Sequence, residues 1–267
     1  MAYVEPIKNK EHLKYAAKYL QKNHDPAFSL IWNIGLETGL RISDILRLKY
    51  SDIDFRSGHC EVIESKGTLA RKARAKHRVL KQVKEELILH YQHNVKKLTA
   101  TYITPFYQIE KLLPKEWKLM VNERVSAAKK ATPPVTRSFL FSKKMVFMLK
   151  QRKEKFRHIN SDSVFSRKTL LSNRAKGVDG LLTRQACWTV FSKLTQVLEK
   201  IGSTAKVGCH TLRKSFARHL YFATGKDISL VMTTIGHKSE SVSLRYIGVS
   251  DDDIKLAQKT LITYLSS

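Results

Sequence analysis

Apolar residues recur at intervals of three and four through most of this chain, and Gly or Pro closes several of the runs. A face that must be buried every 3.6 residues suits a helix and not a strand, so the pattern commits the chain to a mainly helical fold. EHLKYAAKYLQKNHDP places Leu13, Ala16, Ala17 and Leu20 on one face and stops at Asp25-Pro26. AFSLIWNIGLE gives a second helix ended by Gly39, where a left-handed terminus suits a residue without Cβ. TGLRISDILRLKYSDID follows as a short helix with Ile42, Ile45, Leu46 and Leu48 inward and Ser43 or Asp44 as its cap. Nearer the C-terminus, LLTRQACWTVFSKLTQVLEKIG reads as one helix from Thr183 to Gly202 with Ala186, Val190, Leu194 and Leu198 along one side. HTLRKSFARHLYFATG offers Leu212, Phe216, Leu220 and Tyr221 to the core, and DISLVMTTIGHKS is ended by Gly236. A last helix over about 251–267 opens on acids and carries Ile254, Ala257, Leu261 and Leu265 on one face.

One stretch departs from this period. Ile53 and Phe55, a turn at Arg56-Ser57-Gly58, then residues 59–65 and 75–80 predict a small three-stranded antiparallel sheet in the N-terminal third, making the fold class α+β. Between the last two expected strands, SKGTLARKARAK is a basic loop poor in apolar residues, with Lys66 at a hairpin tip and Arg71, Lys72, Arg74 and Lys76 placed to grip a DNA backbone. KQVKEELILHYQHN returns to helix; His90 and His93 stand three apart there, but no third ligand has a suitable spacing, and no metal site is predicted. The stretch 97–160, broken by Pro105, Pro114, Pro133 and Pro134, reads as a basic insertion in a single domain spanning 1–267.

Charge narrows the partner. Lys and Arg outnumber Asp and Glu by 49 to 23, a formal +26, and a field of that sign points to nucleic acid. Cys60, Cys187 and Cys209 are odd in number, far apart and without CxxC, which suits a reducing cytoplasm and no structural zinc. Neither a signal peptide nor a membrane-length apolar run is evident, so a soluble cytoplasmic protein bound to nucleic acid is expected.

Residues 207–250 carry the chemistry: His210 and Arg213 three apart, Gly236-His237, then Tyr246 nine residues on. A phenol with a pKa near ~10 needs a base or a cationic field to act as a nucleophile, and His210 or His237 and Arg213 supply those parts. Attack on a phosphodiester spreads charge over non-bridging oxygens, which planar guanidiniums meet two at a time. Arg41, at a helix junction with Asp44 three residues on to orient it, is the second guanidinium. The leaving 5′ oxygen needs a proton, and Lys66 is the general-acid candidate. His219 is read as structural.

Arg41 in TGLRISDIL, Lys66 in SKGT, His210 and Arg213 in HTLRKSF, His237 in IGHKS and Tyr246 in LRYIG resemble, in order and local context, the tyrosine recombinase (phage integrase) family, over about residues 6–250. The resemblance implies that Arg41 and Arg213 clamp the scissile phosphate and that Tyr246 attacks it to leave a 3′-phosphotyrosyl link. It also implies that Lys66 protonates the 5′ oxygen, His210 acts as base, His237 bonds the phosphate and Asp44 orients the site, with no cofactor, no metal and no ATP. The implied partners are double-stranded DNA and further copies of the chain in a homo-tetramer on it, with room for accessory DNA-binding proteins. Arg41 lies near the start of the chain, so no separate N-terminal core-binding domain is expected, and the basic insertion is expected to help replace that clamp. Plasmid multimer resolution or mobile-element integration and excision are the implied roles; type IB topoisomerase-like relaxation and a non-catalytic DNA-binding regulator are the alternatives.

Overall fold

Helix α1 (Lys10–Asn23) opens where the sequence supplies a cap, the Asn9 side chain accepting the Glu11 N–H at 2.8 Å, and it buries Leu13, Ala16 and Leu20. This computed structural model describes residues 4–170, 180–249 and 251–266. Helix α2 (Pro26–Thr38) is capped by Asp25, starts on a proline whose missing N–H is no loss there, and is buried nearly all round, with Trp32 fully enclosed. Gly39 ends it at φ 62°. The α3 helix (Ile42–Ile45) has Arg41 as its N-cap and no side-chain cap bond, so neither Ser43 nor Asp44 plays the expected part; both already lie inside the helix.

The chain forms two compact units, one running up to Glu61 and from Ser138 onward, the other Val62–Arg137. Residues 97–160 are therefore divided between them. The expected three-stranded sheet has two strands among the described residues, β1 (His59–Ile63) and β2 (Thr136–Leu140), paired antiparallel. Ile53 contributes only an isolated bridge to Cys60. The third expected strand, 75–80, is helical, as is the basic stretch before it: both belong to α4 (Ser65–His90). The reason lies in spacing and composition. Ala75, Val79, Leu80, Val83 and Leu87 are buried at helical intervals, and from Gly67 to Pro105 the chain has no Gly or Pro to stop a helix made of Ala, Lys, Arg, Leu and Glu.

Within the second unit, α4 packs with α5 (Val95–Ile103), a 3-10 segment Phe106–Leu112 and α6 (Trp117–Ala131) around Val79, Leu80, Val83, Leu87, Ile109 and Val121. Arg124 pairs with Glu86 through two parallel bonds at 2.7 and 2.9 Å. In the first unit, α7 (Lys143–Lys155) buries Met145, Leu149 and Arg152, the last bonding the Val164 carbonyl and the Thr169 hydroxyl. The single helix expected after Thr183 breaks at Lys193 into α8 (Arg184–Ser192) and α9 (Leu194–Glu199). Its buried side is Cys187, Phe191, Leu194 and Leu198; Ala186 and Val190, expected on that side, are only partly buried.

Four helices complete the unit: α10 (Thr211–Ala223), α11 (Ile228–Ile235), α12 (Glu240–Ile247) and α13 (Asp251–Leu265). Two glycines let α2 lie directly on α10. A Cβ on Gly35 would stand 2.7 Å from the Leu212 side chain, and one on Gly39 would stand 2.3 Å from the Phe216 ring. That close approach brings the α2–α3 junction, with Arg41, to the start of α10. Among the described residues no helix is long and apolar enough to cross a membrane.

Candidate active site

His210 occupies the N-cap position of α10, but its side chain does no capping; Thr211 does the local work, its hydroxyl accepting the Gly208 N–H at 3.0 Å. The imidazole is half-buried, and burial is the main reason its pKa falls below the ordinary value, with Arg184, Arg213, Arg41 and Lys214 pressing it further down in that order. His210 is thus a neutral ring facing four cations, which is the state a general base requires.

Arg213, one turn into α10, is 1% exposed. Its Nη1 donates to the Gly39 carbonyl at 2.7 Å and its Nη2 to the Ile235 carbonyl. Both acceptors lie at helix C-termini closed by left-handed glycines, Gly39 for α2 and Gly236 for α11, where carbonyls are left over and a cation is favoured. One guanidinium therefore ties three helices together. Arg41 is half-buried and Asp44, in α3, is 3% exposed.

His237 and Tyr246 meet edge to face, with ring centroids 4.4 Å apart and planes at 85°. The sequence reaches this by two steps: Gly236, at φ 65°, turns the chain after α11, and α12 then carries Tyr246 back over the imidazole. Buried Ser243 lies 3.1 Å from His237 Nδ1 and also bonds the Ser239 carbonyl at 3.3 Å. The Ser243 hydroxyl has one proton for these two acceptors; when it goes to Nδ1, the ring proton sits on Nε2, the tautomer in which Nε2 is a donor.

Lys214 joins the two halves of the site. Its ammonium acts on His210, lies 5.6 Å from the centre of the Tyr246 ring, and donates to the Val4 carbonyl at 2.7 Å. Burial lowers its pKa, with Glu5 opposing and Arg245 adding to the shift. Arg218, two turns along α10, anchors the far side: it bonds the carbonyls of Ile247 and Gly248 at the end of α12 and pairs with Asp253 of α13 through two bonds.

Arg41, Asp44, His210, Arg213, His237 and Tyr246 all belong to the first unit, where Arg41, His210 and Arg213 share one field and His237 touches Tyr246. Lys66 belongs to the second unit, exposed in the first turn of α4 and not on a hairpin, because no hairpin forms there. Arg71, Lys72, Arg74 and Lys76 lie on the same helix; Arg71 and Arg74 are exposed, Lys72 is half-buried and Lys76 pairs with Glu110 at 3.0 Å. His219, read as structural, bonds the Ile7 carbonyl at 3.0 Å. Sequence reasoning passed over Arg184, Lys214, Arg218 and Ser243. Lys214, beside Arg213, and Ser243, one turn before Tyr246, had a signal in their neighbours; Arg184, the first residue of α8, had none. Among the described residues no group of three His, Cys, Asp or Glu side chains is arranged to hold a metal ion.

A family model described as the phage integrase family matches residues 9–252. Over 260 residues the chain is 25% identical to a probable integrase/recombinase, YoeC, of Bacillus subtilis (strain 168), covering 97% of both chains. A 76-residue stretch is 34% identical to the tyrosine recombinase XerD of Corynebacterium glutamicum, covering 28% of this chain and 24% of that one. The fold is similar to that of the XerA recombinase, with a TM-score of 0.56 at 15% identity, over 97% of this chain and 66% of that one. It is also similar to the XerH site-specific recombinase bound to its difH substrate after cleavage, with a TM-score of 0.53 at 16% identity, over 96% of this chain and 53% of that one. The chain thus spans about two thirds and about half of those two solved chains.

Proposed function

The chain belongs to the phage integrase family, and from that membership we propose that it is a tyrosine site-specific recombinase that cuts and rejoins double-stranded DNA. The observation that carries the reading is the pairing of the Tyr246 ring with His237, over the buried Lys214 ammonium that also faces His210.

In this reading Tyr246 Oη attacks the scissile phosphorus, its proton passes to His210, and the P–O5′ bond breaks. The product is a 3′-phosphotyrosyl link, and the departing 5′ oxygen takes its proton from Lys66. Arg41 and Arg213 meet the charge that grows on the non-bridging oxygens, with Arg184 adding to the field, His237 donating to the phosphate and Asp44 orienting the cluster. Binding of the 5′ hydroxyl of a second strand reverses the chemistry and completes the exchange; because the phosphotyrosyl bond keeps the phosphodiester's free energy, the step needs no nucleotide. Exchange of four strands calls for a homo-tetramer on DNA. The role is plasmid multimer resolution or mobile-element integration and excision; a site-specific recombinase, XerH, and the Tn1549 transposon integrase are among the fold's neighbours.

The test is covalent trapping on nicked duplexes drawn from the replicon that carries the gene. An adduct on a denaturing gel that forms with the wild type and vanishes with Tyr246→Phe supports the reading, and its cut position gives the target site. Tight binding to the same duplexes without any adduct would sink the catalytic reading in favour of a DNA-binding regulator.

A further inference from the structure

Helix α4 sorts its cations by face. Ala75, Val79, Leu80, Val83 and Leu87 fill the buried side. Lys76 and Lys84 are occupied within the unit, the first by Glu110 and the second by the carbonyls of Tyr102 and Thr104. Arg71, Arg74, Arg78 and Lys81 are all exposed, and their spacing of three, four and three places them in one stripe opposite the buried side, about 15 Å long. No acid interrupts the chain between Glu64 and Glu85. Ala70 and Ala73 are exposed and small on one side of the stripe, and the exposed side chains of His77 and Gln82 also border it.

A helix is about 10–12 Å across and the major groove of B-form DNA about 12 Å wide, so a basic helix face fits it. At about 3.4 Å per base the stripe spans four or five base pairs. The four cations differ in what they can do there. Arg71 is held by the Pro134 carbonyl at 3.2 Å, and Lys81 is a point charge suited to phosphate. Arg74 and Arg78, in the middle, carry planar forks that match guanine O6 and N7 two bonds at a time.

We propose that α4 is a major-groove reading helix, with Arg74 and Arg78 recognising guanine edges in the target duplex and Arg71 and Lys81 seating the helix on phosphates. The inference rests on the recombinase reading for its ligand, and it turns residues that charge alone would assign to the DNA backbone into determinants of the target sequence.

The experiment is selection of bound duplexes from a randomised pool by the full chain, as wild type and as Arg74→Lys, Arg78→Lys and Lys81→Ala. The lysine variants keep both charge and helix propensity, and circular dichroism confirms their fold. Wild type should enrich a motif containing guanine. Each Arg→Lys variant should lose about tenfold of the preference at one guanine position while its affinity for unselected DNA stays the same. Lys81→Ala should weaken all sequences alike and lower the salt slope by about one. Lysine variants that enrich the wild-type motif at undiminished stringency would overturn the proposal, as would a wild type that binds without enriching any motif. Failure of the recombinase reading is separate and visible: in that case Tyr246-dependent adducts are absent from cognate and unselected duplexes alike, whereas failure of the inference alone leaves them intact.

Discussion

Lys214 is 8% exposed, and a buried ammonium is costly unless its surroundings favour charge. Here the Val4 carbonyl holds it and the face of the Tyr246 ring covers it, so the cation stands beside the phenol proposed as the nucleophile. Lys214→Met should therefore slow single-turnover cleavage of a trapping substrate by about ten- to a hundredfold with little change in DNA affinity, and Lys214→Arg should recover part of the rate; equal losses in both would mark Lys214 as merely structural. His210 gives a prediction with a sign. Burial first, and then Arg184, Arg213, Arg41 and Lys214, hold its pKa below the ordinary value, so it stays a base as the pH drops beneath about 6.5. Removing one cation, as in Arg184→Gln, stabilises the imidazolium, and the acid limb of the cleavage rate should move to higher pH; a limb that stays put would dissociate the rate from His210. The proximity of His210, Arg213, His237 and Tyr246 was legible because they fall within 37 residues on or beside successive short helices, so local spacing carried the information. Arg184 was not, because it reaches His210 only through the packed fold.

At the scale of elements, helix ends were read more surely than helix faces. Gly39 and Gly236 stop their helices in the left-handed conformation, as the sequence suggests, since a terminus that requires positive φ leaves few choices of residue. Gly39→Ala should lower stability by about 3 kcal/mol in urea titrations, combining the strain at φ 62° with a Cβ placed 2.3 Å from the Phe216 ring. The loss would also move the carbonyl that Arg213 holds. Faces are harder to read: the side of α8 that is buried lies one residue from the one expected, because Phe191 packs edge-on against Trp32 and Phe28 and settles the rotation from outside the helix. The α4 region is the largest misreading, since short alternation within a basic stretch resembled a strand until the buried residues beyond it extended the helical period. Ala73→Pro separates the two descriptions. In the middle of a helix it should cost about 3 kcal/mol, whereas a surface loop would accept it with almost no change in the melting curve.

The whole molecule combines a formal charge of +26 with histidines that burial keeps neutral, and both make it sensitive to acid. His24, His210 and His219 all have pKa values lowered by burial in the first place, with Lys193 adding to it for His24, the four cations for His210, and Lys10 and Arg218 for His219, where the Ile7 carbonyl opposes. The unfolded chain takes up these protons near pH 6.5, the folded chain only at lower pH. Between those points the unfolded state binds more protons, so stability rises with pH across the window and is lost as pH falls through it. The net charge pushes the same way, because each further proton adds to self-repulsion. Salt separates the two causes, since it screens repulsion among exposed charges but hardly touches the burial of an imidazole. The thermal midpoint should fall between pH 7.5 and pH 5.5 at low salt, and a smaller fall should persist at about 0.5 M salt, to be reduced further by His219→Gln. A midpoint independent of pH at high salt would attribute the acid sensitivity to net charge alone, and one that rose on acidification would contradict the lowered pKa values of the three buried histidines.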